Sequence, residues 1–309
     1  MGWEWHAPSG AYRNHFLSGE IRHQAIADAH FMQFAKPEKG YGKKKGDTIN
    51  ITRVLNLPLA TRVAETQRLP SGRPSISTTS FTVSEWGFKT EMTAFEKHLT
   101  FFNLEDEFQR ALRDQITLTM DKMVADAMRV TPLVYTPVTT GATLSTTGTA
   151  TGTADKNIDI ADLRSLFDTM HGTYKVPAWR NGKYAIIGTT KFMRGIKNDP
   201  EYKEWIAPTS SEPLSQDVRF LKTVENFMLF ETNHYDALDN TVGTGGVLGE
   251  GIAFGADPCV LAEIQTPELW TGLPEEGGRF TQGGWTAIIE AFNHWDTASI
   301  ARNILISSL

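Results

Sequence analysis

Histidines, paired carboxylates, one cysteine and a glycine-rich run are the residues of this 309-residue chain that could do chemistry, and their spacing argues against most of it. His15, His23 and His30 stand about two helical turns apart, too far to share one ion, and no carboxylate completes a ligand set. Cys259 follows Pro258 at the head of an apolar run, the setting of a buried structural thiol rather than a nucleophile. As the lone cysteine it can form no intrachain disulfide, which suits a reducing compartment. Glu275 and Glu276 lie side by side in a Gly-rich loop, where water solvates them; acid–base work would need a pocket around them. Gly243, Gly245, Gly246, Gly249 and Gly251 invite a nucleotide-loop reading, but a dinucleotide fingerprint follows a strand and opens a helix. Here a turn at Tyr235 to Asn240 precedes the run and a strand-like Ile252 to Phe254 follows, so it reads as a mobile loop. The dense basic run Lys43 to Lys45 reads as a solvated turn before a strand. The chain has no His-Glu-x-x-His, paired-cysteine, phosphate-loop or Gly-x-Ser-x-Gly motif. The expectation is therefore no catalytic residue, no cofactor and no metal, with scattered carboxylates in the C-terminal half as the one enzyme reading left open.

The composition bounds size and class. Hydrophobic residues make up 40% and charged residues 21%, enough apolar material for roughly two domain-sized units. No run approaches the roughly 18 apolar residues that cross a bilayer. The start, Met1 to Trp5, lacks the basic flank and apolar stretch of a signal peptide, and His6 stands where myristoylation wants Ser or Thr. A soluble cytosolic chain is expected. The net charge of -6 argues against gripping a phosphate backbone.

The elements that would position any site are more legible. Trp3, Trp5, Tyr12 and Phe16 sit among Gly, Pro and Ser without a period, which reads as an arm that packs on something else. From Gly46 the pattern becomes period two: Ile49 and Ile51 alternate with Thr48, Asn50 and Thr52. A second alternating run spans Thr79 to Glu85. Between them, Pro58, Pro70, Gly72 and Pro74 exclude regular structure, while Arg62, Arg68 and Arg73 face the single acid Glu65. The simplest object is a long hairpin with an irregular basic tip. A two-stranded hairpin is marginal alone in water, so it rests on another surface, and its charge suits acidic sister subunits.

A helix follows. Phe101, Leu104, Phe108, Leu112, Ile116, Met120, Met123 and Ala127 recur at steps of three and four, Asn103 is its N-cap, and Pro132 stops it. At 1.5 Å per residue it runs to roughly 40 Å. Thr139 to Asn157, rich in Thr, Gly, Ala and Ser, reads as a flexible insert and domain boundary. An α/β series comes after it: a helix capped by Asp159, a strand at Tyr184 to Ile187, and a short helix carrying Phe192, Met193 and Ile196. Strands are expected at Val224 to Phe230, Ile252 to Phe254, Val260 to Gln265 and Trp285 to Phe292, with Ala298 to Ile306 open to strand or helix.

This order, with Lys45-Gly46-Asp47-Thr48 entering the hairpin, Ile187-Gly188-Thr189-Thr190 before the short helix and His294-Trp295-Asp296 near the end, resembles the Hong Kong 97 fold of tailed-bacteriophage major capsid proteins, in its podophage-type branch. The resemblance implies an α+β chain with an N-terminal arm (1–39) and an extended loop (40–92). It implies a peripheral domain (93–156) with a spine helix (103–131) and a flexible insert (139–156), then an axial domain (157–292) and a returning segment (293–309). It implies a virion shell protein assembled in the host cytoplasm, forming hexamers and pentamers around double-stranded DNA without reading its sequence. A scaffolding protein, a portal and in some relatives a decoration protein are its implied partners, and no membrane is involved. Trp3, Trp5, Arg62, Glu65, Arg68 and Arg73 are then candidates for contacts between subunits. Gly243, Gly245, Gly246, Gly249, Glu275 and Glu276 are candidates for the capsomer centre. The alternatives are a cellular nanocompartment shell of the same fold, a carboxylate enzyme, or a virion adhesion module, which the long helix disfavours.

Overall fold

The computed structural model describes residues 26–38, 48–66, 68–99, 104–202, 220–272 and 275–309. Trp3, Trp5, His15, His23, the Lys43 to Lys45 run and the Asn103 cap lie outside these residues. A short strand β1 (Lys36–Glu38) precedes the hairpin of β2 (Thr48–Val54) and β3 (Ile76–Thr82). Beyond Val83 the chain leaves the hairpin as β4 (Ser84–Thr93), turns through α1 (Ala94–Leu99), and enters α2 (Leu104–Arg129). The strands β5 (Val134–Thr136) and β6 (Thr143–Ser145) then lead to α3 (Ile160–Phe167), β7 (Tyr184–Thr189) and α4 (Thr190–Asn198). Next come β8 (Phe220–Val224), β9 (Phe227–Thr232), β10 (Gly251–Phe254), β11 (Val260–Thr271), β12 (Phe280–Phe292) and β13 (Asn303–Ile306).

These strands build two sheets beside the hairpin. The four-stranded sheet runs β1-β11-β12-β4, and period-two patterning gives β12 two working faces. Trp285, Ala287, Ile289 and Ala291 turn toward α2, where Leu112, Met120 and Met123 wait. Ile288 and Phe292 turn the other way and meet Ile49, Phe81 and Val83 of the hairpin. Long β12 is thus the middle of a helix–sheet–hairpin stack. Trp285 adds a hydrogen bond, its Nε1 donating to Gln115 Oε1 at 3.2 Å.

The seven-stranded sheet runs β6-β5-β13-β10-β7-β9-β8. One face carries Ile186, Leu229, Ala253 and Ile304 against the apolar sides of α3 and α4. The other carries Ala185, Ile187, Ile252 and Phe254 against Val124 and Met128 of α2. The spine helix therefore serves both sheets. Glycines make room on the α4 side. Gly188 and Gly251 are register partners, and a Cβ on either would stand 2.5 Å or 2.7 Å from the Phe192 ring.

The strongest sequence patterns match the structure, and several elements differ for identifiable reasons. Within the expected α2 stripe, Leu112, Met120, Met123 and Ala127 are buried. Val224 to Phe230 is two strands, because Glu225 and Asn226 (φ 46° and 64°) form a left-handed two-residue turn that its apolar flanks conceal. Strands β11 and β12 are longer than expected: register shifts around Gln265 absorb Pro267 as a bulge. Residues 298–306 take both forms, a 3₁₀ turn at Ala298–Ile300 and then β13. The Thr-rich tract is built into the sheet rather than flexible. Within it β6 pairs with β5, Ala154 is buried, and Ala154 N donates to Ser308 Oγ at 2.7 Å. Its small side chains pack little, but backbone hydrogen bonds tie it down, Gly148 N donating to Pro132 O at 2.9 Å and Leu309 N to Gly152 O at 3.1 Å. Residues 157–292, expected as one α/β series, are divided: β7 to β10 lie in the seven-stranded sheet and β11 and β12 in the other.

Candidate assembly surface

The hairpin is fixed at its root and free at its tip. On β2, Ile49, Ile51 and Arg53 form the inward row, with Ile49 and Arg53 buried. Phe81, the register partner of Ile49, stacks on Phe292 with ring centroids 3.9 Å apart. Arg53 closes the end of this row. Its Nη1 donates to Asp296 Oδ1 at 2.9 Å and to the His294 carbonyl, and its Nη2 to Thr79 Oγ1 at 2.7 Å and Ser77 Oγ at 3.3 Å. Burial works against the Asp296 carboxylate, but the hydrogen bond and charge of Arg53, with the Thr297 and Thr79 hydroxyls, hold its pKa below the ordinary value. Burial and the nearby Arg302 and Arg53 lower His294 to about 4, so its imidazole is neutral at pH 7. Arg302 itself lies 3.6 Å over the Trp295 ring, a cation–π contact.

Residues 55–75, apart from position 67, form the tip. No regular strand or helix occurs among the described ones. Arg62, Glu65, Arg68 and Arg73 are all exposed, as the proline spacing leads one to expect. Apolar side chains join them: Leu59 is 94% exposed, Leu69 81% and Val54 65%, with Leu57 and Ile76 also exposed. A projection that presents leucine and arginine to water carries the composition of an interface, not of a free surface.

The two glycine-rich loops belong to different sheets. Gly243 to Gly251 is folded rather than mobile: Val242 pairs with Leu248, Thr244 N donates to Ala154 O at 2.9 Å, and Gly249 is buried. Gly245 is exposed, and Gly243 and Gly246 are half-buried. Glu275 and Glu276 stand exposed at the far tip of the β11–β12 hairpin. Among the described residues no element brings them to the Gly243 loop.

Buried acids each have a structural task. Asp121 accepts from Phe31 N at 2.6 Å and Met32 N at 3.3 Å and lies 3.1 Å from His234 Nδ1, so it ties residues 31–34 to α2. Glu250 receives Arg129 at 3.1 Å, Asp239 N at 2.9 Å and the Ser307 hydroxyl. Asp159 and Asp162 form the capping box of α3, with Lys156 bridging them and the Tyr135 hydroxyl donating to Asp162 at 2.9 Å. These acids lie in separate networks, and among the described residues no group of His, Cys, Asp and Glu could hold a metal ion. Cys259 is fully buried, and burial pushes its thiol up to about 12, out of nucleophile range.

No protein-family model and no curated protein sequence matches the chain. Solved structures match it over nearly its whole length. The capsid asymmetric unit of cyanophage Pam1 superposes with a TM-score of 0.72 at 15% identity, covering 98% of each chain. The acidic stable capsid of Helicobacter pylori bacteriophage KHP30 gives 0.68 at 12% identity, covering 96% of this chain and 95% of that one. Mycobacterium phage Che8 gives 0.64 at 12% identity, covering 96% and 97%. The chain has the Hong Kong 97 fold.

Sequence reasoning found the tip arginines but missed the root anchors Arg53, Asp296, Phe81 and Phe292. One signal was available: Arg53 continues the apolar row of Ile49 and Ile51, and a charge on an inward row needs a buried partner.

Proposed function

We propose that this chain is the major coat subunit of a tailed-phage head, whose copies form hexamers and pentamers of an icosahedral shell around double-stranded DNA. The observation that carries the reading is the hairpin, locked to its own body at Arg53 and Phe81 and extending bare leucines and arginines beyond it. The tip, with Arg62, Glu65, Arg68 and Arg73, rests on the adjacent subunit. Trp3 and Trp5, outside the described residues, are candidates for further contacts between subunits. Likeness to capsid subunits over nearly the full chain supports the same role.

In this reading α2 with β1, β4, β11 and β12 makes the peripheral domain, and the seven-stranded sheet makes the axial domain. Gly243, Gly245 and Gly246 remain candidates for the capsomer centre. Glu275 and Glu276, on the other sheet, belong to the periphery. Scaffolding protein and portal act as separate partners, and a decoration protein is an optional one. The subunit does no chemistry and grips no base sequence.

The test is electron microscopy of the purified chain, alone and co-expressed with its own phage scaffold. Closed particles of many copies are expected. A chain that stays monomeric under every condition overturns the reading. A packaged enzyme in place of phage-length DNA in native particles points to a nanocompartment instead.

A further inference from the structure

A groove of about 630 Å³ runs beside the hairpin root, between β2 with its continuation, residues 173–177, and residues 294–302. Every charged side chain that lines it is a cation: Arg53, Lys175 and Arg302. Asp296 answers Arg53 and Asp257 answers Arg302, but exposed Lys175 has no ion-pair partner among the described residues. Two lining side chains, each only 7% exposed, hold a buried polar atom without a hydrogen-bond partner among the described residues: Arg53 Nε and His294 Nδ1. The outer edge of β2 borders the same groove and pairs with no strand among the described residues. The charge left unanswered in the groove is thus the positive one of Lys175, and an acidic segment complements it.

The chain carries a matching object. Glu275 and Glu276 project from the turn between β11 and β12, held by Glu275 N donating to Phe280 O at 2.9 Å and Gly278 N to Glu275 O at 3.1 Å. Left-handed Glu276, Gly277 and Gly278 fix that turn. Lys89, whose charge acts on Glu275, is already paired with Glu91 at 2.6 Å. This acidic turn cannot reach the groove of its own copy. It sits at Phe280, one end of β12, while the groove begins past Phe292 at the other, and 13 strand residues span roughly 40 Å.

We propose that the groove receives the Glu275–Glu276 turn of a second copy, its carboxylates meeting Lys175 and the cationic wall. The inference rests on the coat-subunit reading, which supplies the second copy. Such a contact joins two different surfaces and so propagates from copy to copy.

The experiment is a charge exchange scored by particle yield, with wild-type particles as the control and unchanged melting temperatures as the check on folding. Lys175→Glu alone, and Glu275→Lys with Glu276→Lys, each place like charges together at every contact and lower the yield by about tenfold or more. All three substitutions together restore it. Wild-type yields from the single-sided reversals, or no recovery in the combined variant, overturn the groove contact and leave the coat reading standing. A wild-type chain that never associates overturns both.

Discussion

His294 shows how one side chain reports on its surroundings. Burial disfavours its charged form, and Arg302 and Arg53 repel the same proton, so its pKa falls from 6.5 to about 4. Between those values an unfolded chain takes up a proton that the folded chain refuses. Stability from this residue is complete above about pH 6.5 and is lost as pH falls toward about 4. Asp296, lowered below its ordinary value of 3.8, adds a separate loss that begins only near and below that pH. Melting temperatures of the subunit are expected to fall steadily as pH drops from 6.5 to about 4, and His294→Gln to flatten that slope. An unchanged slope in the variant would place the titrating group elsewhere.

The hairpin root is a small core of its own. Ile49, Val83, Val260, Ala262 and Phe292 pack beneath the two strands, with Phe81 stacked on Phe292. Phe81→Ala removes that stack and is expected to cost about 3 kcal/mol. The loss should be local before it is global: limited proteolysis is expected to cut near residues 55–75 and the root well before the rest unfolds. Digestion patterns indistinguishable from wild type would mean that the root does not hold the arm. At this scale the sequence was legible wherever a period persisted. The α2 stripe and the alternation of Thr48 to Thr52 each specify one element and one buried face. It was illegible where order comes from the backbone. Nothing in the composition of residues 139–156 says that Ala154 N will find Ser308, and nothing in Val224 to Phe230 announces a left-handed pair at Glu225 and Asn226. The site divided the same way. Prolines flagged the bare tip and its arginines, whereas the Arg53 network joins residues 241 and 243 positions apart in the chain.

For the whole molecule, charge and shape together set the terms of association. The tip arginines form no ion pair among the described residues, and the proposed role for them is contact between copies. Reversing Arg62, Arg68 and Arg73 to Glu is expected to leave the melting temperature of the subunit within about 1 °C, since exposed substitutions shift stability little. Particle formation should fall sharply, and normal particles from the triple variant would show the tip charges to be incidental. One feature of the seven-stranded sheet reaches beyond the finished particle. Its strand β13 pairs Leu305 with Val134 on one side and with Ile252 on the other, closing a gap of 171 residues along the chain. During synthesis β5 and β6 emerge long before the strand that joins them to β10 and β7. Until then the sheet exists as two halves with open hydrogen-bonding edges, a slow and aggregation-exposed stage for so distant a pairing. In the proposed coat role, a cell making many copies at once holds a dense population of such half-closed chains. The demand for chaperones should therefore track the rate of synthesis of residues 137–302, well before any shell forms.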